Sequence, residues 1–269
     1  MPLLSPLNPP VSDWSGQRVW ILGASSGIGA ETARLLARHG ARLALSGRRQ
    51  EVLAALGREL TAATGAESRA LPCDITDAQA VADGARTLRE AWGGIDLVLM
   101  AAGIYDALRP QEFNPADLAT VRRTLDTNLL GAYHVLAAVL PEFRRQGRGR
   151  LAFVSSVAGY NGLPRALAYA PGKAALNNLC EGLYLELRPL GIAVTRICPG
   201  FVDTPLIAGG DFPKPALQTP QAAARAIVRG LERGDFEIRF PKPFTTLLKV
   251  LQWLPRRLYF FLVRQATRP

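Results

Sequence analysis

The sequence predicts a doubly wound parallel α/β sheet in one domain, and two observations carry that expectation. Short apolar runs alternate with helix-length amphipathic segments along most of the chain, the pattern of successive βαβ units. The first such run, "RVWILG" (18–23), also passes directly into a glycine-rich loop that opens a helix. A length of 269 residues, 48% of them apolar, is enough for one domain of this class with a sizeable core.

Taken in order, residues 18–23 form a buried strand. In "ASSGIGAETARLLARHGA" the apolar Ile28, Ala33, Leu35 and Leu36 give a helix its inner face, and Gly40 stops it. "RLALSGRR" (42–49) is a second strand and "QEVLAALGRELTAATG" a second helix. "SRALPCDIT" is a third strand with Asp74 just past its end, followed by the helix "DAQAVADGARTLREAWGG". "IDLVLMAAG" (95–103) is a fourth strand, and helix follows over about 115–147 in more than one piece. "RLAFVSSVAG" (150–159) is a fifth strand, "AYAPGKAALNNLCEGLYLELRPLG" a long helix and "IAVTRICPG" a sixth strand. "TPQAAARAIVRGLERG" is helical and "FEIRFP" a last strand. Crossovers in such a sheet are right-handed, and ligands bind beyond the carboxyl ends of its strands. The expected organisation is a tail over 1–15, the sheet domain over 16–243 and an apolar, basic helical segment over 244–269.

Composition narrows the function. Cys73, Cys180 and Cys198 are far apart, odd in number and without metal-ligand spacing, which predicts a reduced, cytoplasmic protein with neither disulfide nor metal. The opening stretch "MPLLSPLNPPVSDWSG" has prolines in place of a basic and apolar leader, and no apolar run reaches the ~18–20 residues of a membrane span. Net charge is +10, of which Arg239, Lys242, Lys249, Arg256, Arg257, Arg264 and Arg268 supply seven with no acid among them. The body is therefore nearly balanced and carries no nucleic-acid-binding module, so no nucleic-acid partner is expected.

"GASSGIG" places Gly23, Gly27 and Gly29 between a strand and a helix. A pyrophosphate approaches backbone N–H groups closely there, where a Cβ would block it, and the helix N-terminus adds free donors. Gly23, Ser25, Ser26, Gly27, Ile28 and Gly29 are the expected dinucleotide contacts. At the end of the second strand an acid would bind a ribose 2′-hydroxyl and a base would accept a 2′-phosphate. Gly47 stands where the acid would be, followed by Arg48 and Arg49, which points to NADP(H) over NAD(H).

Tyr169 and Lys173 are i and i+4 and share a helix face. An ammonium beside a phenol favours the phenolate, which predicts a lowered tyrosine pKa suited to proton exchange with a carbonyl or alcohol oxygen. Ser156, at the end of the fifth strand, would hold that oxygen near the phenol.

From Gly16 to Pro205 the chain resembles the short-chain dehydrogenase/reductase family, through "GASSGIG", "CDIT", "AAG" at 101–103, "DTNLLGAYHV", "SSVAG", "YAPGK" and "CPGFVDT". The resemblance implies a Rossmann-type fold and a catalytic tetrad. In it Asn128 holds a water on a proton relay, Ser156 binds the substrate oxygen, Tyr169 is the acid/base and Lys173 bonds the nicotinamide ribose. It also implies that Asp74 bonds the adenine amine beside Ile75, that Ala102 and Gly103 border the cofactor, and that Pro199, Gly200, Val202 and Thr204 line its carboxamide. Leu22, Ala101 and Gly172 depart from the family's threonine, asparagine and serine, and Pro171 sits in the first helical turn, where proline is tolerated.

The chain ends differently from many members. "FEIRFPKPFTTLLKVLQWLPRRLYFFLVRQATRP" replaces their closing "VDGG"-like segment, and Pro255 divides it into two short apolar, basic helices. Interface binding over 244–263 beside anionic lipid at the inner face of a membrane, cover of the substrate cleft, and a homodimer contact are the three expectations for it. Each suits a small lipophilic substrate. The leading reading is an NADP(H)-dependent ketone or aldehyde reductase and alcohol dehydrogenase. A 3-oxoacyl reductase acting on carrier- or CoA-linked chains, docking through Arg144, Arg145, Arg148 and Arg150, and a catalytically idle NADP-binding regulator or scaffold are the alternatives. His39 reads as a helix-end residue, His134 as a packed or hydrogen-bonded histidine and Cys198 as a small core residue.

Overall fold

Each of the apolar runs singled out above becomes a parallel strand. The computed structural model describes residues 5–210 and 212–267, so Arg268 lies outside them. Strands β1 (Arg18–Leu22), β2 (Arg42–Ser46), β3 (Ser68–Ala70), β4 (Leu97–Met100), β5 (Gly149–Val154), β6 (Ile192–Pro199) and β7 (Glu237–Phe240) form one parallel sheet in the order β3-β2-β1-β4-β5-β6-β7. Strand order reverses between β1 and β4, and a crevice opens there at the carboxyl ends. β3, β4 and β5 stop short of their predicted ends. "CDIT", "AAG" and "SSVAG" are apolar enough to read as strand, but they form the loops beyond the sheet.

Residues along β1 alternate between the two faces, and both faces are buried. Val19 and Ile21 join Leu36 of α1 (Gly27–Arg38), Leu53 and Leu56 of α2 (Gln50–Thr64) and Ile227 of α7 (Pro220–Arg233). Trp20 and Leu22 join Val81 and Leu88 of α3 (Ala78–Trp92), Val135 and Val139 of α5 (Gly131–Gln146) and Leu176 of α6 (Tyr169–Leu187). Helix 115–147 is indeed divided: α4 (Asp117–Leu125) runs into a π-helical turn over Asp126–Leu130 before α5 begins. Such wide turns inside helices often accompany functional sites.

The described part of the predicted tail is packed down. Asn8 is buried and bonds Val194 on both its backbone faces, while Trp14 is buried with its ring N–H donating to Glu232. After β7, α8 (Lys242–Val250), a 3₁₀ turn over Leu251–Trp253 and α9 (Arg256–Thr267) follow, with Pro255 at the break. The arginine cluster sits where β5 begins, the end of the sheet opposite the crevice. Arg145 pairs with Glu142, Arg148 with Asp96, and Arg150 donates to the Pro10 carbonyl.

Candidate active site

The glycine loop between β1 and α1 is built for close approach. Gly23 has φ +94°, a left-handed conformation, and a Cβ on it would stand 2.4 Å from the Ala102 nitrogen. A Cβ on Gly29 would stand 2.2 Å from the Gly23 carbonyl oxygen. Ser26 precedes α1 without capping it through its side chain, so the first-turn amides are left for another acceptor. A cradle of this kind fits a pyrophosphate. The Thr204 methyl lies 2.8 Å from where a Gly27 Cβ would be, which brings the chain after β6 to the same loop. In that stretch the Gly200 N–H donates to the Phe240 carbonyl at 2.8 Å, and Val202 is buried and bridges Gln218. The departures Leu22 and Ala101 keep their backbone pairing: the Ala101 N–H donates to the Leu22 carbonyl at 2.7 Å.

At the end of β2, Arg49 is exposed and donates to both the carbonyl and the hydroxyl of Ser25, at 3.1 and 3.0 Å. Arg48 beside it is exposed. Past β3, Asp74 accepts from the Thr76 N–H and hydroxyl, while Ile75 turns its side chain into the core against Gly131. The Ile75 carbonyl is 2.9 Å from His134 Nδ1, which makes that histidine a hydrogen-bonded core partner.

Gly103 links this region to the helix-borne groups. Its Cβ would stand 3.1 Å from Asn128 Oδ1 and 3.6 Å from Lys173 Nζ. Asn128, fully buried in the π turn, pairs with both backbone faces of Ile104: it accepts from the N–H and donates to the carbonyl, each at 2.8 Å. This double bond fixes the loop that carries Gly103 and Tyr105. Lys173 is 3% exposed, and its Nζ donates to the Val154 carbonyl at 2.8 Å and lies 5.6 Å from the Tyr169 ring centroid. Burial pulls its pKa down to about 8. Ser156 starts the 3₁₀ turn Val157–Gly159, where its hydroxyl accepts from the Ala158 N–H at 3.0 Å, and it lies close enough to the Tyr169 phenol to lower its pKa.

The expected lowering of the Tyr169 pKa does not hold in the chain by itself. Burial pushes the phenol up to about 12, and nearby Ser156 offsets only part of that rise. The i,i+4 spacing puts an ammonium nearby, but it says nothing of the apolar packing around the phenol. Cys198 is fully buried beside Asn177 and its thiol is pushed up to about 12, which makes it a packing residue.

The structure adds residues that motif reading missed. Tyr105 meets the Tyr169 ring edge-on at 5.3 Å and Phe212 at 5.8 Å. Phe212 contacts Phe201 at 5.9 Å, and Phe201 contacts Phe244 of α8 at 6.0 Å. An aromatic arc thus runs from the Tyr169 phenol to the C-terminal helices. Its members come from three distant segments, so no local spacing signals it. The C-terminal helices also close on the loop after β5. Leu248 packs on Val157 and Tyr160, Gln252 donates to the Tyr160 carbonyl, and the Tyr259 hydroxyl donates to the Gly162 carbonyl at 2.6 Å. The inner face of the segment thus packs against the loop after β5.

Known proteins share this fold. Residues 17–210 match the sequence profile of the family described as short chain dehydrogenase. An uncharacterized oxidoreductase of Myxococcus xanthus is 37% identical over 249 residues, 93% of this chain and 97% of that one. An alcohol dehydrogenase of the archaeon Thermococcus sibiricus, complexed with 5-hydroxy-NADP, superposes with a TM-score of 0.74 at 28% identity, covering 83% of this chain and 96% of that one. A short-chain dehydrogenase from Sphingobium yanoikuyae in complex with NADPH gives a TM-score of 0.77 at 28% identity, covering 88% and 94%. The fold and its crevice are those of a dinucleotide-dependent oxidoreductase. The chain belongs to the short-chain dehydrogenase/reductase family of oxidoreductases.

Proposed function

We propose that the chain is an NADP(H)-dependent oxidoreductase interconverting a ketone or aldehyde with an alcohol on a lipophilic substrate. One observation carries this reading: the Tyr169 phenol, beside buried Lys173 and near Ser156, lies in packing continuity with the glycine loop through Gly103 and Ala102. Gly23, Ser25, Ser26, Gly27, Ile28 and Gly29 would hold the pyrophosphate, and Arg48 and Arg49 a 2′-phosphate. Asp74 and Ile75 would meet the adenine, and Ala102, Gly103, Lys173, Pro199, Gly200, Val202 and Thr204 the nicotinamide half. When bound, the nicotinamide supplies or accepts the hydride.

The side chains do the rest. Ser156 orients the substrate oxygen. Tyr169, held protonated at neutral pH by burial, gives its proton to that oxygen as it becomes an alkoxide, a far stronger base than a phenolate. Lys173 keeps a cationic donor next to the phenolate so formed, and Asn128 fixes the loop bordering both. The arc of Tyr105, Phe212 and Phe201 supports an apolar substrate. The same reading makes the chain a cytoplasmic homodimer, supported by the exposed Tyr133 of α5 and Leu185 of α6, with peripheral membrane contact through 244–263. Oxidation of NADPH and NADH across ketones and aldehydes of increasing chain length tests it. Turnover that rises with chain length and favours NADPH is expected; no turnover with any carbonyl would overturn it.

A further inference from the structure

The inner faces of α8 and α9 are used, but their outer faces are not. On α9 only Tyr259 is buried, with Val263 and Thr267 half-buried one and two turns on. Opposite them, Phe261 at 59% exposure shares its face with Leu258, Arg257 and Arg264, and Phe260 flanks it at 63%. Leu247, Val250 and Trp253 continue an exposed i, i+3, i+6 series through α8 and the following turn, with Trp253 84% exposed. No acid occurs from Arg239 to the end of the chain.

We propose that this outward face is a docking surface for a bilayer carrying anionic lipid. The proposal deepens the peripheral contact in the reading above by naming the surface and its partner, and it rests on the placement of these helices, not on catalysis. Aromatic side chains interleaved with arginines suit the headgroup boundary, where rings sit at the acyl margin and cations meet phosphate and carboxylate. At 12 residues, α9 is about 18 Å long against a hydrocarbon thickness of ~30 Å, so it lies on the membrane. Among the described residues no helix is long and apolar enough to cross one. A second copy fits this face poorly. A two-fold contact would set Arg257 and Arg264 against the same cationic surface with no acid from the segment to offset them. Anionic headgroups supply the charge the face lacks.

Docking there has a consequence for access. Gln252, Arg256 and Tyr259 bond Tyr160, Asn161 and Gly162, the strip of loop that leads towards Tyr169. A lipid surface bound to the outer face is thereby set beside the loop that these helices pack against.

The test uses the whole chain with phosphatidylcholine vesicles, with and without phosphatidylserine, read by co-sedimentation and tryptophan emission. Trp14, Trp20 and Trp92 are buried, so a blue shift reports Trp253. Binding to the phosphatidylserine vesicles, with a blue shift absent in Trp253→Phe, is the expected result. The double variant Arg257→Gln/Arg264→Gln should lower partitioning about 30-fold, and Phe260→Ser/Phe261→Ser should abolish it while NADPH-dependent turnover of a soluble ketone is retained. Absence of binding, equal binding to neutral vesicles, or a wild-type oligomer that the Phe260→Ser/Phe261→Ser variant converts to a smaller species would each overturn the proposal. Vesicle binding without any turnover would instead sink the catalytic reading alone, and turnover without vesicle binding the docking alone.

Discussion

Replacing Lys173 by methionine should change how stability depends on pH. Lys173 is almost wholly buried, and its pKa falls from 10.5 to about 8. The unfolded chain therefore keeps this proton up to about pH 10.5, while the folded chain gives it up near pH 8. Stability rises with pH wherever the unfolded state binds more protons, so this group adds stability as pH climbs from about 8 towards 10.5. At about 1.4 kcal/mol per pKa unit, the cost of keeping the ammonium folded at neutral pH is about 3 kcal/mol. Methionine removes that cost but leaves the Val154 carbonyl without its 2.8 Å donor, at about 1–3 kcal/mol. The two nearly offset at pH 7. At pH 10 the wild type has shed most of the burden and the variant has gained nothing, so the difference between them shifts by about 2–3 kcal/mol in favour of the wild type. Urea denaturation of both proteins at pH 7 and pH 10 measures it. The window stops there because Tyr169, raised to about 12, costs stability in both proteins once the unfolded phenol ionises near pH 10. A difference that stayed constant between the two pH values would refute the burial of a strained lysine beside the phenol.

Two further outcomes follow from the geometry. Gly29→Ala drives a methyl into the Gly23 carbonyl, so NADPH affinity, followed by its fluorescence on titration, should fall at least tenfold while NADH falls in parallel. Arg48→Ser/Arg49→Ser should instead raise the KM for NADPH by about 10- to 100-fold with little change for NADH, since about 1.5–3 kcal/mol of charge-assisted bonding in total would be lost only from the 2′-phosphate.

Much of this fold can be read directly from the chain. Alternating runs and helices mark the seven strands, and "GASSGIG" marks where the first crossover begins, because both patterns reflect local geometry. Strand ends are harder to place: "SSVAG" follows the strand with no proline or charged residue to break the run, yet Val157–Gly159 form a 3₁₀ turn that Ser156 begins. The spacing of Tyr169 and Lys173 predicts their shared face, but not the direction of the tyrosine's pKa, because that depends on tertiary burial. Tyr105, Phe201 and Phe212 meet only through long-range packing. The tail likewise reads as loose from its prolines, whereas buried Asn8 and Trp14 anchor its described part through partners more than 180 positions away.

The central claim is that Tyr169 is the proton donor to a carbonyl oxygen. Single-turnover oxidation of NADPH by wild type and Tyr169→Phe, with the best ketone from the chain-length series, tests it most directly. The phenylalanine variant should bind NADPH as tightly as the wild type and turn over about 10²–10⁴ times more slowly. Equal rates for the two proteins would contradict it.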